Sequence, residues 1–207
     1  MYRKLLLSIF VLSPFFMLGQ SSAVDAGIKI GINASTLRFR NDGETLDDNV
    51  KGGAGFAGGA FVRFNLNGFM LQPELMYSQK RFSESADGQE LGYKLDDIDF
   101  AIALGGQGEW ADGNRWRLYT GPVISFNLST ELEFEGVSVS GDDVGELFNS
   151  PRLALILGAG LDLGPVVVDV RFVPGITNTI DPDQVEPEDT QTPLEWFQFS
   201  LGYRITK

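Results

Sequence analysis

The feature that most restricts this chain is an alternation of apolar and polar residues with a period of two. It recurs in eight segments whose separations are alternately long and short. In the clearest, Phe69, Leu71, Pro73, Leu75 and Tyr77 share one parity, and Met70, Gln72, Glu74, Met76, Ser78 and Lys80 the other. Successive side chains of a strand point to opposite faces, so this period predicts strands with one apolar and one polar side. The segments cover residues 26–36, 53–64, 69–80, 95–109, 115–128, 152–163, 165–175 and 194–206. Three separations are tight: Asn65-Leu66-Asn67-Gly68, Ala111-Asp112-Gly113-Asn114 and Gly164-Pro165 carry hairpin turn chemistry. The other four, 37–52, 81–94, 129–151 and 176–193, are long. The expected fold is all-β, an eight-stranded antiparallel up-and-down barrel. A meander places alternate connections at opposite ends, so the short turns and both termini share one end.

A volume argument decides which face is outside. One parity collects Ile28, Ile30 and Ile32, then Phe100, Ile102 and Leu104, then Leu153, Leu155 and Leu157, and finally Phe197, Phe199 and Leu201. The interior of an eight-stranded barrel is just wide enough to be filled by side chains, and this parity would put roughly thirty bulky ones there. The bulky face is therefore expected outside, as a patch too large for a soluble monomer, and so against lipid. A soluble lipocalin-like barrel with the apolar face inward is the alternative that volume disfavours. Segments of this length span the hydrocarbon when tilted. Trp110, Trp116, Phe64, Phe69, Tyr77 and Tyr203 near segment ends suit an interfacial girdle. In a transmembrane β-barrel short turns face the periplasm and long loops the exterior, which puts both termini in the periplasm.

The N-terminus fits export. Arg3 and Lys4 precede an apolar run from Leu5 to Leu18, followed by the small residues Gly19, Ser21, Ser22 and Ala23. That is the order of a secretory signal peptide, read here as residues 1–19 with cleavage after Gly19 or after Ala23, leaving a barrel domain over 24–207. The run is short for a retained membrane anchor, and no cysteine marks a lipoprotein junction. Without Arg3 and Lys4 the chain keeps 14 basic residues against 28 acidic ones, a net charge of −14. Nucleic-acid binding needs a basic footprint and is not expected. Cysteine and histidine are absent, which removes thiol chemistry, the commonest general base and the commonest transition-metal ligand.

The polar parity supplies the candidate site. Lys29, Arg63, Glu74, Asp97, Asp99, Arg117, Asp169, Arg171 and Arg204 are expected in the lumen, joined by Arg152, Asp162 and Glu109. Charges there must be paired or hydrated, so the first reading is a structural ion-pair network and the sharper one a gated proton or ion path. Asp97 and Asp99 stand two apart on one strand, and no nucleophile has an adjacent base, so neither catalysis nor a cofactor is expected. Residues 129–151 carry Glu131, Glu133, Glu135, Asp142, Asp143 and Glu146, and residues 176–193 carry Asp181, Asp183, Glu186, Glu188 and Asp189. These read as a solvated acidic surface, with weak divalent-cation capture as the alternative. Neither Asp181-Pro182-Asp183 nor Ser140-Gly141-Asp142-Asp143 completes a metal loop, and no metal site is assigned. Gly52-Gly53-Ala54-Gly55 opens a strand instead of a helix and reads as barrel packing, not a phosphate cradle.

Several stretches carry a family resemblance. Gly27-Ile28-Lys29-Ile30-Gly31-Ile32-Asn33-Ala34, the segment Phe69–Lys80, Gly121-Pro122 and the closing run Phe197–Ile205 resemble the outer-membrane β-barrel family common in Bacteroidetes, often labelled PorT-like or "porin family". The resemblance spans the mature chain and specifies architecture more than activity. It implies a barrel inserted by the outer-membrane assembly machinery, which reads the last strand; this chain departs there, ending Ile205-Thr206-Lys207 and not in an aromatic residue. "Porin" fits poorly, since so small a lumen should be filled. The expectation is a monomeric protein of a Gram-negative outer membrane, partnered by outer-membrane lipid and the assembly machinery. Its role would be structural, adhesive or envelope-stabilising; the alternative is a narrow channel or an accessory of an outer-membrane secretion or uptake system.

Overall fold

A computed structural model of the chain describes residues 24–38, 40–41, 44–45, 50–86, 89–111, 113–134, 137–140, 148, 150–180 and 192–206. Residues 1–23, where the signal peptide is expected, and much of the two acidic stretches, including Glu135, Asp142, Asp143, Glu146 and 181–191, lie outside the described residues. The barrel strands are β1 (Val24–Leu37), β2 (Val50–Leu66), β3 (Phe69–Ala86), β4 (Gln89–Ala111), β5 (Asn114–Phe134), β6 (Arg152–Leu163), β7 (Val166–Val173) and β8 (Leu194–Arg204). Each pairs antiparallel with the next. β1 closes on β8 from Gly27↔Arg204 to Leu37↔Leu194. A closed barrel leaves no edge strand and satisfies every ladder within itself, which is what a sheet in lipid requires.

The parity of the sequence maps onto the two surfaces. Ile30 and Phe69 are each 69% exposed and Leu118 and Phe197 each 59%, while Arg63, Lys80 and Asp97 are fully buried at 0%. Along β6, Leu153 to Leu163 point outward in steps of two. Ten residues at about 3.3 Å each, tilted by about 40°, rise roughly 25 Å, the height of an outer-membrane apolar band. At the short-turn end Phe69, Trp110, Trp116 and Tyr203 stay exposed. At the other end Phe56 and Tyr77 lie 5.3 Å apart. Just beyond them Gln79 and Ser129 donate to Asp96 at 3.1 and 3.3 Å, so the outer face turns polar there.

The β2–β3 turn shows how local chemistry sets the register. Asn67 and Gly68 have φ of 45° and 93°, the left-handed pair of a primed two-residue turn whose twist matches the flanking strands. Elsewhere the strands depart from the expected boundaries. The expected 81–94 connection is mostly strand, because β3 and β4 run on until only residues 87 and 88 separate them. β5 likewise continues to Phe134, and Val137–Ser140 pairs back on it. Above the band the inward side chains are apolar: Phe82 stacks on Tyr93 at 5.0 Å, and Phe148 meets both edge-on at 6.5 and 5.8 Å. That cluster gives the extended ladders a surface to bury. In the opposite direction, the segment expected to reach residue 175 ends at Val173, because Pro174 has no N–H to continue the ladder. The last strand ends at Arg204 and not at residue 206.

Candidate functional site

The strands bring the inward charges together in two tiers. In the lower tier, toward the short turns, Asp25 receives Arg115 at 3.1 Å, Arg204 at 3.5 Å and Arg63 at 3.8 Å. Asp162 pairs with Arg63 and with Arg117, the latter at 3.0 Å. Arg117 passes on to Asp169 at 2.9 Å, which also accepts the Tyr119 hydroxyl at 2.9 Å and pairs with Lys29 at 2.8 Å. Lys29 reaches Glu74 at 2.9 Å. Glu74 in turn accepts a bidentate pair from Arg171, at 2.9 and 3.1 Å. Contacts such as Lys29 of β1 with Glu74 of β3, or Arg63 of β2 with Asp162 of β6, cross the lumen instead of joining neighbours in the sheet. Glycines make room for them: a Cβ at Gly158 would run into the Tyr119 ring, and one at Gly160 into the Arg117 guanidinium.

The upper tier centres on Lys80, whose ammonium donates to Asp97 at 2.9 Å, to both oxygens of Asp99 at 2.9 and 3.1 Å, and to Ser125 at 3.3 Å. Arg152 joins Asp97 from β6, and the Trp196 ring lies 4.0 Å from the Lys80 nitrogen. Between the tiers Met76, Ala101, Val123, Ile156 and Val173, together with Trp196, Gln198 and the charged Asp99 and Arg171, line a cavity of about 10 Å³, room for about one water. Above the upper tier Leu37, Phe82, Leu95, Phe148 and Leu194 belong to one buried apolar cluster. The lumen is thus layered: charge, apolar belt, charge, apolar cap.

Of the residues singled out from the sequence, Lys29, Arg63, Glu74, Arg117, Asp169, Arg171 and Arg204 meet in the lower tier, and Asp97 and Asp99 in the upper. Arg152 and Asp162 are buried among them. Glu109 has the inward parity but sits exposed at the rim, opposite Arg115. Asp25, the anchor of the short-turn mouth, falls just before the first expected segment, although it shares the parity of Lys29. The role of Lys80 as the hub of the upper tier, and the apolar cap, have no local signature. Among the described residues no group of three or more acidic side chains is placed to hold a metal ion.

Removing these charges from water is expensive, and the pairing recovers the cost only where both partners stay in place. Among the described residues each tier ties several strands together across the barrel through pairs of opposite charge.

Fold and lumen define a closed barrel with a lipid-facing exterior and a filled, charge-paired interior. The model of the outer membrane protein beta-barrel domain matches residues 18–181, and the chain belongs to that family. No curated protein matches it. Among solved structures it is similar to Ail, the attachment invasion locus protein of Yersinia pestis, in complex with the heparin analogue sucrose octasulfate. Identity there is 18%, over 88% of this chain and 99% of that one, with a TM-score of 0.42. It is also similar to the outer membrane protein OprG from Pseudomonas aeruginosa, with 10% identity over 89% and 97% of the two chains and a TM-score of 0.42. A third is the outer membrane protease OmpT from Escherichia coli, with 10% identity over 90% and 98% and a TM-score of 0.44.

Proposed function

We propose that this outer-membrane barrel has a structural, adhesive or envelope-stabilising role, with a lumen closed to solutes and no catalytic activity. Its short turns and both termini face the periplasm and its acidic connections the outside. The resemblance of Gly27–Ala34 and Phe69–Lys80 to small Bacteroidetes barrels supports reading it with that branch of the family. One observation carries the reading: two ion-pair tiers, an apolar belt and an apolar cap occupy the lumen in series. A solute would have to break charge pairs such as Lys80–Asp99 and displace Phe82 and Phe148 to pass.

Planar-bilayer recording of the purified full chain tests the closed lumen. The expected trace is flat. Steady openings whose conductance changes in Arg117→Gln or Asp99→Asn would overturn the reading in favour of a narrow channel. Because the chain lacks cysteine, introduced thiols test orientation cleanly. Gly141→Cys should react with a membrane-impermeant maleimide on whole cells and Gly113→Cys should not; the reverse pattern would invert the assignment of the two ends.

A further inference from the structure

The belt between the two tiers contains buried hydrogen-bonding groups that no neighbouring residue meets. Arg171 of β7 commits its two terminal nitrogens to Glu74, at 2.9 and 3.1 Å. A guanidinium carries five N–H donors in a fixed fork, so this two-handed grip leaves the Nε–H over. That Nε is buried and has no hydrogen-bond partner among the described residues. Gln198 of β8 is the direct cross-strand partner of Arg171. It is buried, and its amide has no hydrogen-bond partner among the described residues either. The same holds for the N–H of Trp196, two residues along on the same inward face. Asp99 accepts Lys80 on both oxygens, yet a carboxylate offers about four lone-pair sites, so it keeps acceptor capacity.

These four residues line one cavity, the space of about 10 Å³ inside the belt. A wholly apolar cavity stays dry, whereas a polar one of about this size holds a water when two to four partners converge on it. The groups present match the needs of one water. Arg171 and Trp196 bring N–H donors for its oxygen, and Asp99 and the Gln198 carbonyl are acceptors for its two hydrogens.

We propose that this cavity binds one ordered water, which accepts from Arg171 Nε and the Trp196 N–H and donates to Asp99 and the Gln198 side-chain carbonyl. Arg171 belongs to the lower tier and Asp99 to the upper, so the water joins the two tiers into one hydrogen-bonded network across the apolar belt. A single enclosed water rests on the closed lumen proposed above, since an open one would hold a column of solvent.

Nuclear magnetic resonance of the full chain in nanodiscs, with methyl-labelled Val and Ile, tests the site. The expected result is a nuclear Overhauser cross-peak at the water frequency on the methyls of Val123 and Ile156, which wall the cavity. Two variants separate a bound water from exchange relayed through nearby N–H groups. Ala101→Val and Val173→Ile each place extra carbon in the cavity and keep every exchangeable proton of Lys80, Arg171 and Gln198. The cross-peaks should be lost in both, with heat-modifiable gel migration as the control for folding. The Arg171 Nε–H signal should also move further when Asp99→Asn is made in the parent than when it is made in a filled variant. No cross-peak in the parent, cross-peaks that persist in a folded filled variant, or equal shifts in the two backgrounds would each overturn the proposal. Failure of the closed lumen shows separately, as conductance in the planar bilayer.

Discussion

Lys80→Met isolates what the upper tier contributes. The substitution keeps an unbranched side chain one atom shorter and removes the one cation paired with Asp99 among the described residues, at 2.9 Å. Asp97 keeps Arg152 and the Asn127 amide, the latter at 3.2 Å, so the loss falls on Asp99. That carboxylate is 6% exposed, and breaking a buried pair by removing one partner costs about 3–5 kcal/mol. Loss of the Trp196 contact contributes up to about 2 kcal/mol of that range, the value for a desolvated cation over an indole. The double variant Lys80→Met/Asp99→Asn removes the orphaned charge and should recover about 2–3 kcal/mol. Urea unfolding of the barrel in vesicles, followed by tryptophan fluorescence and by the gel shift between folded and unfolded forms, measures all three proteins. A single variant within about 1 kcal/mol of the parent, or a double variant no more stable than the single, would refute the claim that Lys80 is a buried and obligatory counter-charge.

Two further outcomes test the exterior and the packing of the lumen. Leu157→Arg, in the middle of the outward row of β6, should destabilise the barrel by about 2–4 kcal/mol, while Trp116→Arg at the short-turn girdle should cost about 0–1 kcal/mol. Equal effects at the two depths in the same unfolding assay would contradict the placement of the band. Gly158→Leu drives a side chain into the Tyr119 ring; overpacking of this kind costs about 1–3 kcal/mol. A folded yield and midpoint matching the parent would mean the lumen has slack that the structure does not contain.

Much of the architecture was legible because parity is a local property. Whether Glu74 or Leu75 faces the lumen depends only on the pleat of its own strand, and the volume of Ile, Leu and Phe on one parity leaves no choice of side. Turn positions were legible for a similar reason: Asn67-Gly68 encodes its left-handed backbone within two residues. Strand lengths beyond the band were not. Phe82, Tyr93 and Leu95 extend β3 and β4 only because Phe148, more than fifty residues away, packs on them, and no local pattern announces that contact. Asp25 was hidden by its position one residue before the first expected segment.

The sequence by itself determined which residues enter the lumen and which meet lipid, since a period of two needs nothing but an extended chain. Only the closed barrel decided which charge meets which. Lys29 finds Glu74 and Asp169, and Arg63 finds Asp162, across a diameter set by strand number, tilt and the stagger of eight ladders together. Those quantities belong to the whole sheet, so the pairs they create have no spacing in the chain that could betray them.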